Sequence, residues 1–378
     1  MRIGLLTDGY KPGTNGVIRF ISLHKRTLER LGHEVFIFTW GEEVPEDEPG
    51  VIRSPGIPFV RPGYHVAPGY SHQARALLQT MDVLHANQPL LSGALALRYG
   101  RRYGLPVVLT CHSRYDLLGV TRLPFLPLPL YREILRPTLR RISDRYDVVM
   151  APSPEAARVM RSLGVRRPIE VVPYGVDLDG CRHPPKRLRR EELGLPADVP
   201  LALFLGRLER EKDVSFLLEA LARPEPARTH LLLVGDGVER ERLEADVRGM
   251  GLMDRVRFVG EVPAEEVPAY IALADLFVTA SRIEMLPVAV IEAMAGGLPV
   301  VGLDVPWIRP VVRSGVNGLL AEPEVASFAR AWARLATDEP LRARLSEGAR
   351  TASERYDLRR TTAQMIALYE RLLEERRG

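Results

Sequence analysis

Apolar runs of strand length recur along the chain, parted by glycine-rich turns and by stretches with helical period. Residues 2–7 form one such run. A Gly- and Pro-rich loop, 8–17, and a helix-period stretch, 18–31, closed by Gly32, lead to the next run at 33–39. Continuous apolar runs of this length read as strands buried on both faces, as parallel sheets require. Runs at 81–86, 106–112, 146–153 and 169–177 continue the series, with a helical stretch at 92–103. Ser153-Pro154 pairs a capping residue with the residue favoured at the first helical position. A second series begins at 201–207 and continues through 231–237, 256–262, 275–280 and 298–301, with a helix from Val214. Strand, loop, helix, strand is the repeating unit of doubly wound α/β domains, and a chain of 378 residues exceeds an ordinary single core. The pattern predicts two Rossmann-like α/β domains, 1–176 and 177–356. The stretch up to Lys186 reads as linker, and an amphipathic helix over about 357–378 as the tail.

Composition narrows the class. Hydrophobic residues make up 46% and charged residues 26%, ordinary values for a soluble globular protein. The two cysteines, Cys111 and Cys181, supply neither a disulfide framework nor metal-ligand spacing. No apolar run reaches the ~18 residues of a membrane span. The opening MRIGLLTDGY is a strand feeding a loop and not a secretory leader, so a cytoplasmic protein is expected. Charge is uneven: residues 1–180 hold 23 Lys and Arg against 17 Asp and Glu, and 98–145 hold ten Arg against three acids. Within that stretch, 114–145 interleaves Leu, Phe, Pro and Tyr with Arg. Such a segment is either an interfacial anchor on an anionic membrane or a solvated helix face capping its domain, and the pattern alone leaves both open.

Candidate chemistry lies where the runs end, because open α/β sheets bind ligands at the carboxyl ends of their strands. Glu284 follows the run at 275–280. Pro287 stands where a helix would begin, and Gly296-Gly297 where it would stop. Glu292 lies eight residues beyond Glu284. The N–H groups of Met285, Leu286 and Val288 would crown the helix start as an anion site. A carboxylate beside such a site suits a ligand with hydroxyls next to phosphates, which describes a nucleotide sugar. Arg207 and Lys212 frame another strand-to-helix turn, where a guanidinium fork and an ammonium suit a diphosphate. The 8–17 loop is not G-x-G-x-x-G and no acid ends the following strand, which disfavours a dinucleotide site. His112 ends its strand. Cys111 beside it would point to the opposite side, so no thiol nucleophile is expected. Asp177-Leu178-Asp179 is formally D-x-D, but it sits in a Pro- and Gly-rich junction and is read as junction chemistry.

Four motifs together resemble the retaining family-4 glycosyltransferases: E-x7-E followed by AMAGGLPVV at 284–301, G-R-x4-K at 206–212, P-x-G-x-D at 173–177, and T-x-H-x-x-Y at 110–115. Within that family the pattern is nearest to the diacylglycerol glycosyltransferases. The resemblance spans the whole chain and implies the B-type fold, two facing Rossmann-like domains, with the last helix crossing back to brace the first. It places Glu284 on the donor sugar, Glu292 on the ribose, and Arg207 and Lys212 on the donor diphosphate. Met285 and Leu286 stand beside the phosphates, where family members often carry Gly-Phe. Backbone at Val262 reads the base, and backbone at Asn15-Gly16 approaches the diphosphate, as the missing Cβ of Gly16 permits. His112 is implied at the catalytic centre. The implied reaction is transfer of a hexose with retention, UDP-glucose or UDP-galactose being favoured, to a membrane lipid such as diacylglycerol. Lipid-using members carry a basic insertion after the His strand, which favours the membrane reading of 114–145 and a peripheral place on the inner face of the cell membrane. No cofactor, metal or nucleic-acid partner is implied. A soluble polyol or polysaccharide acceptor, or GDP-mannose as donor, is the alternative. A nucleotide-sugar-binding protein or epimerase is the alternative from another class.

Overall fold

Strand β1 (Arg2–Leu6) lies between β2 (Glu34–Trp40) and β6 (Val83–Ala86), parallel to both, and its last four residues are buried. The computed structural model describes residues 1–11, 16–58, 64–117, 127–226 and 228–377. The chain divides into two units, Met1–Gly175 with Leu358–Gly378, and Val176–Asp357. In the first, β3 (Val51–Ser54), β7 (Val107–Thr110), β8 (Val148–Ala151) and β9 (Ile169–Val171) complete a parallel sheet of order β3-β2-β1-β6-β7-β8-β9. A small antiparallel pair, β4 (Ile57–Pro58) and β5 (His65–Val66), stands apart from it. The order reverses between β1 and β6, the kind of switch point at which such sheets open a crevice for ligands.

Helix Gly16–Arg30 turns Ile18, Phe20, Ile21 and Leu28 into the core of the first sheet. The tail helix, Leu358–Arg377, adds Met365, Leu368, Tyr369 and Leu372 to the same core. The Tyr369 hydroxyl lies 2.5 Å from Nδ1 of the buried His85, whose Nε2 lies 2.5 Å from the Thr110 hydroxyl. The last helix therefore belongs to the first unit, although 182 residues of the second unit intervene between Gly175 and Leu358.

The second unit is a six-stranded parallel sheet of order β12-β11-β10-β13-β14-β15. Its strands are β10 (Leu201–Leu205), β11 (His230–Val234), β12 (Val256–Gly260), β13 (Leu276–Thr279), β14 (Val300–Leu303) and β15 (Gly318–Ala321). Here the switch falls between β10 and β13, so the loops after these two strands are neighbours. Helix Val288–Ala295 connects β13 to β14 and stops as the glycine pair predicts. Gly297 adopts φ 92°, its N–H donates to the Met294 carbonyl at 2.9 Å, and the Leu298 N–H donates to the Ala293 carbonyl at 2.9 Å. That is a Schellman stop, for which Gly carries no Cβ penalty.

Three details differ from the sequence pattern. Pro287 is the cap residue and the helix starts one residue later, at Val288. The Val288 N–H donates to the Leu286 carbonyl at 3.0 Å, so the expected anion crown loses one of its three donors. Strands β3, only partly buried and carrying Arg53 and Ser54, and β15, which opens on Gly318, are absent from the sequence reading, as is the short pair β4–β5.

Candidate functional site

The loops leaving β10 and β13 meet. After β10 the chain passes Gly206 and Arg207, makes a 3₁₀ turn at Arg210–Lys212, and enters helix Val214–Leu221. After β13 it passes Ser281 to Pro287 and enters helix Val288–Ala295. Lys212 Nζ forms an ion pair with Glu284 Oε1, and the Ser281 hydroxyl donates to the same oxygen at 2.9 Å. Both charged side chains are about a fifth exposed. The two residues assigned to separate motifs are thus one contact, and Ser281, absent from the motif reading, completes it. Adjacent strand ends at the switch point are what bring them together, and no spacing along the chain records that.

Arg207 shares the Lys212 turn but is more than half exposed. Its guanidinium pairs with the neighbouring Glu209 and, at 3.3 Å, with Glu211. The loops after β10 and β11 pack through glycine: Gly235 has φ 133°, and a Cβ there would stand 2.0 Å from the Gly206 carbonyl oxygen. Glu292 is 4% exposed within its helix, so it is not a solvated helix-face residue. Met285 and Leu286 are buried. Val262 follows β12, two strands from β10.

The remaining candidates lie in the first unit. Gly16 is the first residue of helix Gly16–Arg30, is exposed, and has nothing within 4 Å of where a Cβ would stand. Asn15 lies outside the described residues. His112 sits two residues beyond β7, half-buried, with its ring stacked on Tyr174 and edge-on to Phe20. Its Nδ1 lies 2.8 Å from the Tyr174 hydroxyl and its Nε2 3.1 Å from Asn87 Oδ1. Asn87 Nδ2 donates to the Leu6 carbonyl at 3.3 Å. A neutral imidazole satisfies this set, with Nε2–H donating to Asn87 and Nδ1 accepting from Tyr174. Burial pushes His112 down to about 3, and the neighbouring His85 and His24 add to the shift. Asn87 and Tyr174 went unnoticed in the sequence, although Tyr174 occupies the variable place of P-x-G-x-D. Another unnoticed residue is Asp8, which follows β1 at the switch point. It accepts the Ser92 N–H at 2.7 Å, and burial raises its carboxyl above the usual range.

Cys111 is buried and its thiol is pushed up to about 12 by desolvation, which leaves it un-ionised. Asp177 of the D-x-D accepts the Gly180 N–H at 3.1 Å and caps helix Leu178–Arg182, so a capping role accounts for it. Among the described residues, no group of three or more His, Cys, Asp and Glu is placed to hold a metal ion.

The Arg-rich segment is resolved into unlike parts. Helix Leu128–Ser143 starts at the proline run and carries Pro137 within it. Leu123, Phe125 and Leu126, apolar residues of the stretch read as a membrane anchor, lie outside the described residues. Leu130 and Ile134 are 50% and 57% exposed. Arg136, Arg140 and Arg141 are exposed. Arg132, within the stretch read as a membrane anchor, instead donates to the buried Asp116 at 2.8 Å, and Arg114 grips the same carboxylate through two bonds of 2.8 Å. Burial raises Asp116, but the two guanidiniums outweigh it and hold the carboxyl below its ordinary value. Tyr131 likewise turns inward, its hydroxyl donating to the Tyr115 carbonyl at 3.0 Å.

Two doubly wound parallel sheets, each with ligand-side loops at a switch point, make up the B-type glycosyltransferase fold. HepE of Anabaena, solved in complex with UDP-glucose, shares it with a TM-score of 0.75 at 20% identity, covering 98% of this chain and 100% of that one. The chain belongs to the family-4 glycosyltransferases: residues 14–179 match the model for Glycosyltransferase Family 4, and 185–352 that for Glycosyl transferases group 1. D-inositol 3-phosphate glycosyltransferase of Xylanimonas cellulosilytica is 31% identical, over 97% of this chain and 94% of that protein. Alpha-monoglucosyldiacylglycerol synthase of Streptococcus pneumoniae is 28% identical, over 85% of this chain and 75% of that protein.

Proposed function

We propose that the chain is a retaining hexosyltransferase that takes glucose or galactose from a uridine diphosphate sugar and passes it to a membrane lipid such as diacylglycerol. The observation that carries the donor half is the Lys212–Glu284 ion pair at the β10–β13 switch point. A cation that can turn to the diphosphate touches a carboxylate that can hold sugar hydroxyls. In this reading, donor binding replaces the Lys212–Glu284 and Arg207–Glu209 pairs with contacts to phosphate. The bond between the anomeric carbon and the phosphate oxygen breaks while the acceptor oxygen bonds to that carbon on the same face. The acceptor's proton passes to the departing diphosphate. Lys212 and Arg207 stabilise the charge that develops there, the largest single contribution in such a step. His112 stays neutral. Since both its ring nitrogens are bonded, a sugar hydroxyl would have to replace Asn87 or Tyr174. No metal or cofactor is invoked.

The acceptor half is supported by exposed Leu130 and Ile134 beside exposed arginines on one helix, and by the diacylglycerol-glucosylating relative. The inositol phosphate-using relatives support a second reading, a soluble phosphorylated polyol. One experiment separates them. The protein is incubated with each of a panel of nucleotide sugars, with diacylglycerol vesicles, with inositol phosphate, or with neither, and nucleoside diphosphate release is followed. Release that requires the vesicles supports the lipid acceptor, and release that requires inositol phosphate replaces it. Release without any acceptor, at an equal rate, removes transferase activity from the proposal. Proton NMR of the product reads retention from the anomeric coupling.

A further inference from the structure

We propose that Asp213 and Arg282 are positioning residues that lock the turn carrying Lys212 onto the turn carrying Glu284. The inference rests on the donor-site reading above and adds to it two residues that no motif contains.

Asp213 is the one non-glycine residue with positive φ among those described, at φ 50° and ψ 47°. Left-handed backbone is unfavourable for residues with a Cβ, Asp and Asn tolerating it best, and it persists where the surroundings demand it. Here it sits directly after Lys212, between the 3₁₀ turn Arg210–Lys212 and helix Val214–Leu221. An Asp at a helix start ordinarily accepts an N–H from the first turn. Asp213 makes no such side-chain bond. Its carboxylate instead accepts the Arg282 Nε–H at 2.8 Å, from the loop after β13. The same two loops are joined again when the Arg282 N–H donates to the Glu211 carbonyl at 3.3 Å and the Ser281 hydroxyl reaches that carbonyl at 3.4 Å. The Arg282 guanidinium also lies 5.9 Å from the ring centroid of Phe216, a core residue of the Lys212-side helix.

Strained backbone, an uncapped helix start and a carboxylate spent on the neighbouring loop thus coincide beside the Lys212–Glu284 pair. The Asp213–Arg282 pair is itself half in solvent, with side chains 26% and 50% exposed. Ion pairs in that setting add little to stability, so its consequence falls on where Lys212 stands. Small displacements of a positioning group are costly, up to about 10²-fold in rate for roughly 1 Å.

The test compares Asp213→Gly, which keeps the left-handed turn and removes the carboxylate, with Arg282→Ala, Lys212→Ala and the double variant Asp213→Gly/Lys212→Ala. The probe is UDP or GDP, whichever the parent binds, measured by calorimetry on the full chain, with melting temperature and turnover alongside. Asp213→Gly and Arg282→Ala are each expected to keep the parent's melting temperature, weaken diphosphate binding about three- to tenfold and slow turnover by about tenfold or more. In the Lys212→Ala background, Asp213→Gly should produce no further loss of diphosphate affinity, because it acts through Lys212. Parental affinity and turnover in both single variants overturns the proposal, as does a full additional loss in the double variant. If Lys212→Ala itself binds diphosphate like the parent, the donor-site reading fails and takes this inference with it.

Discussion

Glu284 faces one ion pair and one hydroxyl, and the consequence of removing its charge follows from that environment. Glu284→Gln keeps the shape of the side chain but loses the oxygen charge that Lys212 and Ser281 engage. Turnover is expected to drop about 10²–10³-fold, the usual effect of deleting one transition-state contact, while calorimetry still detects nucleoside diphosphate binding. Near-parental turnover would remove Glu284 from the site. A second residue-scale expectation concerns acid. His24, His85 and His112 are pushed down to about 4, 3 and 3, mainly by burial, whereas an unfolded chain holds them near 6.5. Between those values the unfolded state binds more protons, so stability falls as pH drops below about 6.5. Each such histidine contributes up to about 1.4 kcal/mol per pH unit. Melting temperature should therefore decline from pH 7 through 6 to 5, and His85→Gln, which removes one titrating ring, should decline less steeply. An unchanged midpoint from pH 7 to 5 would contradict the burial argument.

At the scale of one element, helix Leu128–Ser143 has two sides with different duties. Arg132 and Arg114 neutralise the buried Asp116, whereas Arg136 and Arg140 form ion pairs with the exposed Glu133 and Asp144 at the surface, and Arg141 is exposed. Arg132→Ala leaves a buried carboxylate with one partner fewer, which costs about 1.5–3 kcal/mol for a hydrogen bond to a charged group, and should lower the melting temperature. Arg136/Arg140/Arg141→Glu should leave the melting temperature nearly unchanged and abolish sedimentation with anionic vesicles. In the parent, that sedimentation should fade at 1 M salt, where screening shortens to about 3 Å. Equal binding of parent and triple variant would leave the soluble-acceptor reading in its place. The sequence pattern grouped all these arginines on one basic stretch. Only Asp116, buried and sixteen residues earlier than Arg132, divides them.

At the scale of the whole molecule, the chain leaves its first unit and returns to it. Helix Leu358–Arg377 buries Met365, Leu368, Tyr369 and Leu372 in the core built by Ile3, Ile18 and Ile21. At about 1.5–3 kcal/mol for each fully buried large side chain, these four supply roughly 6–12 kcal/mol, as much as a typical domain's entire stability. Truncation after Asp357 should therefore abolish the folded first unit and yield insoluble or protease-sensitive protein. A soluble truncation product with the parent's melting profile would show that the helix is dispensable. Tyr369→Phe, which removes only the hydroxyl beside His85, should cost about 1 kcal/mol.

Much of this architecture was legible before any coordinates. Apolar runs such as residues 3–6 and 201–205, alternating with glycine-rich turns and helix-period stretches, are the pattern of a parallel sheet covered by helices, and chain length calls for two such domains. The Gly296-Gly297 stop was legible because few residues other than glycine accept φ 92°. Arg207, His112 and Glu284 could be nominated because they follow strands, while Glu292 and Gly16 lie in helices. Their partners could not be. Lys212 meets Glu284, His112 meets Asn87 and Tyr174, and Asp213 meets Arg282 across 72, 25, 62 and 69 residues. Strand order decides those meetings, and strand order is a property of how two faces of a sheet are covered, which no local pattern encodes. Burial set Glu292 apart from a solvated glutamate, and the partner set Arg132, on the buried Asp116, apart from Arg136, on the exposed Glu133. The sequence alone determined which positions could carry chemistry, since residue type and strand ends are local. Tertiary structure alone decided which charges face each other and which face water, because Coulomb and desolvation energies depend on distances that only the folded sheet sets.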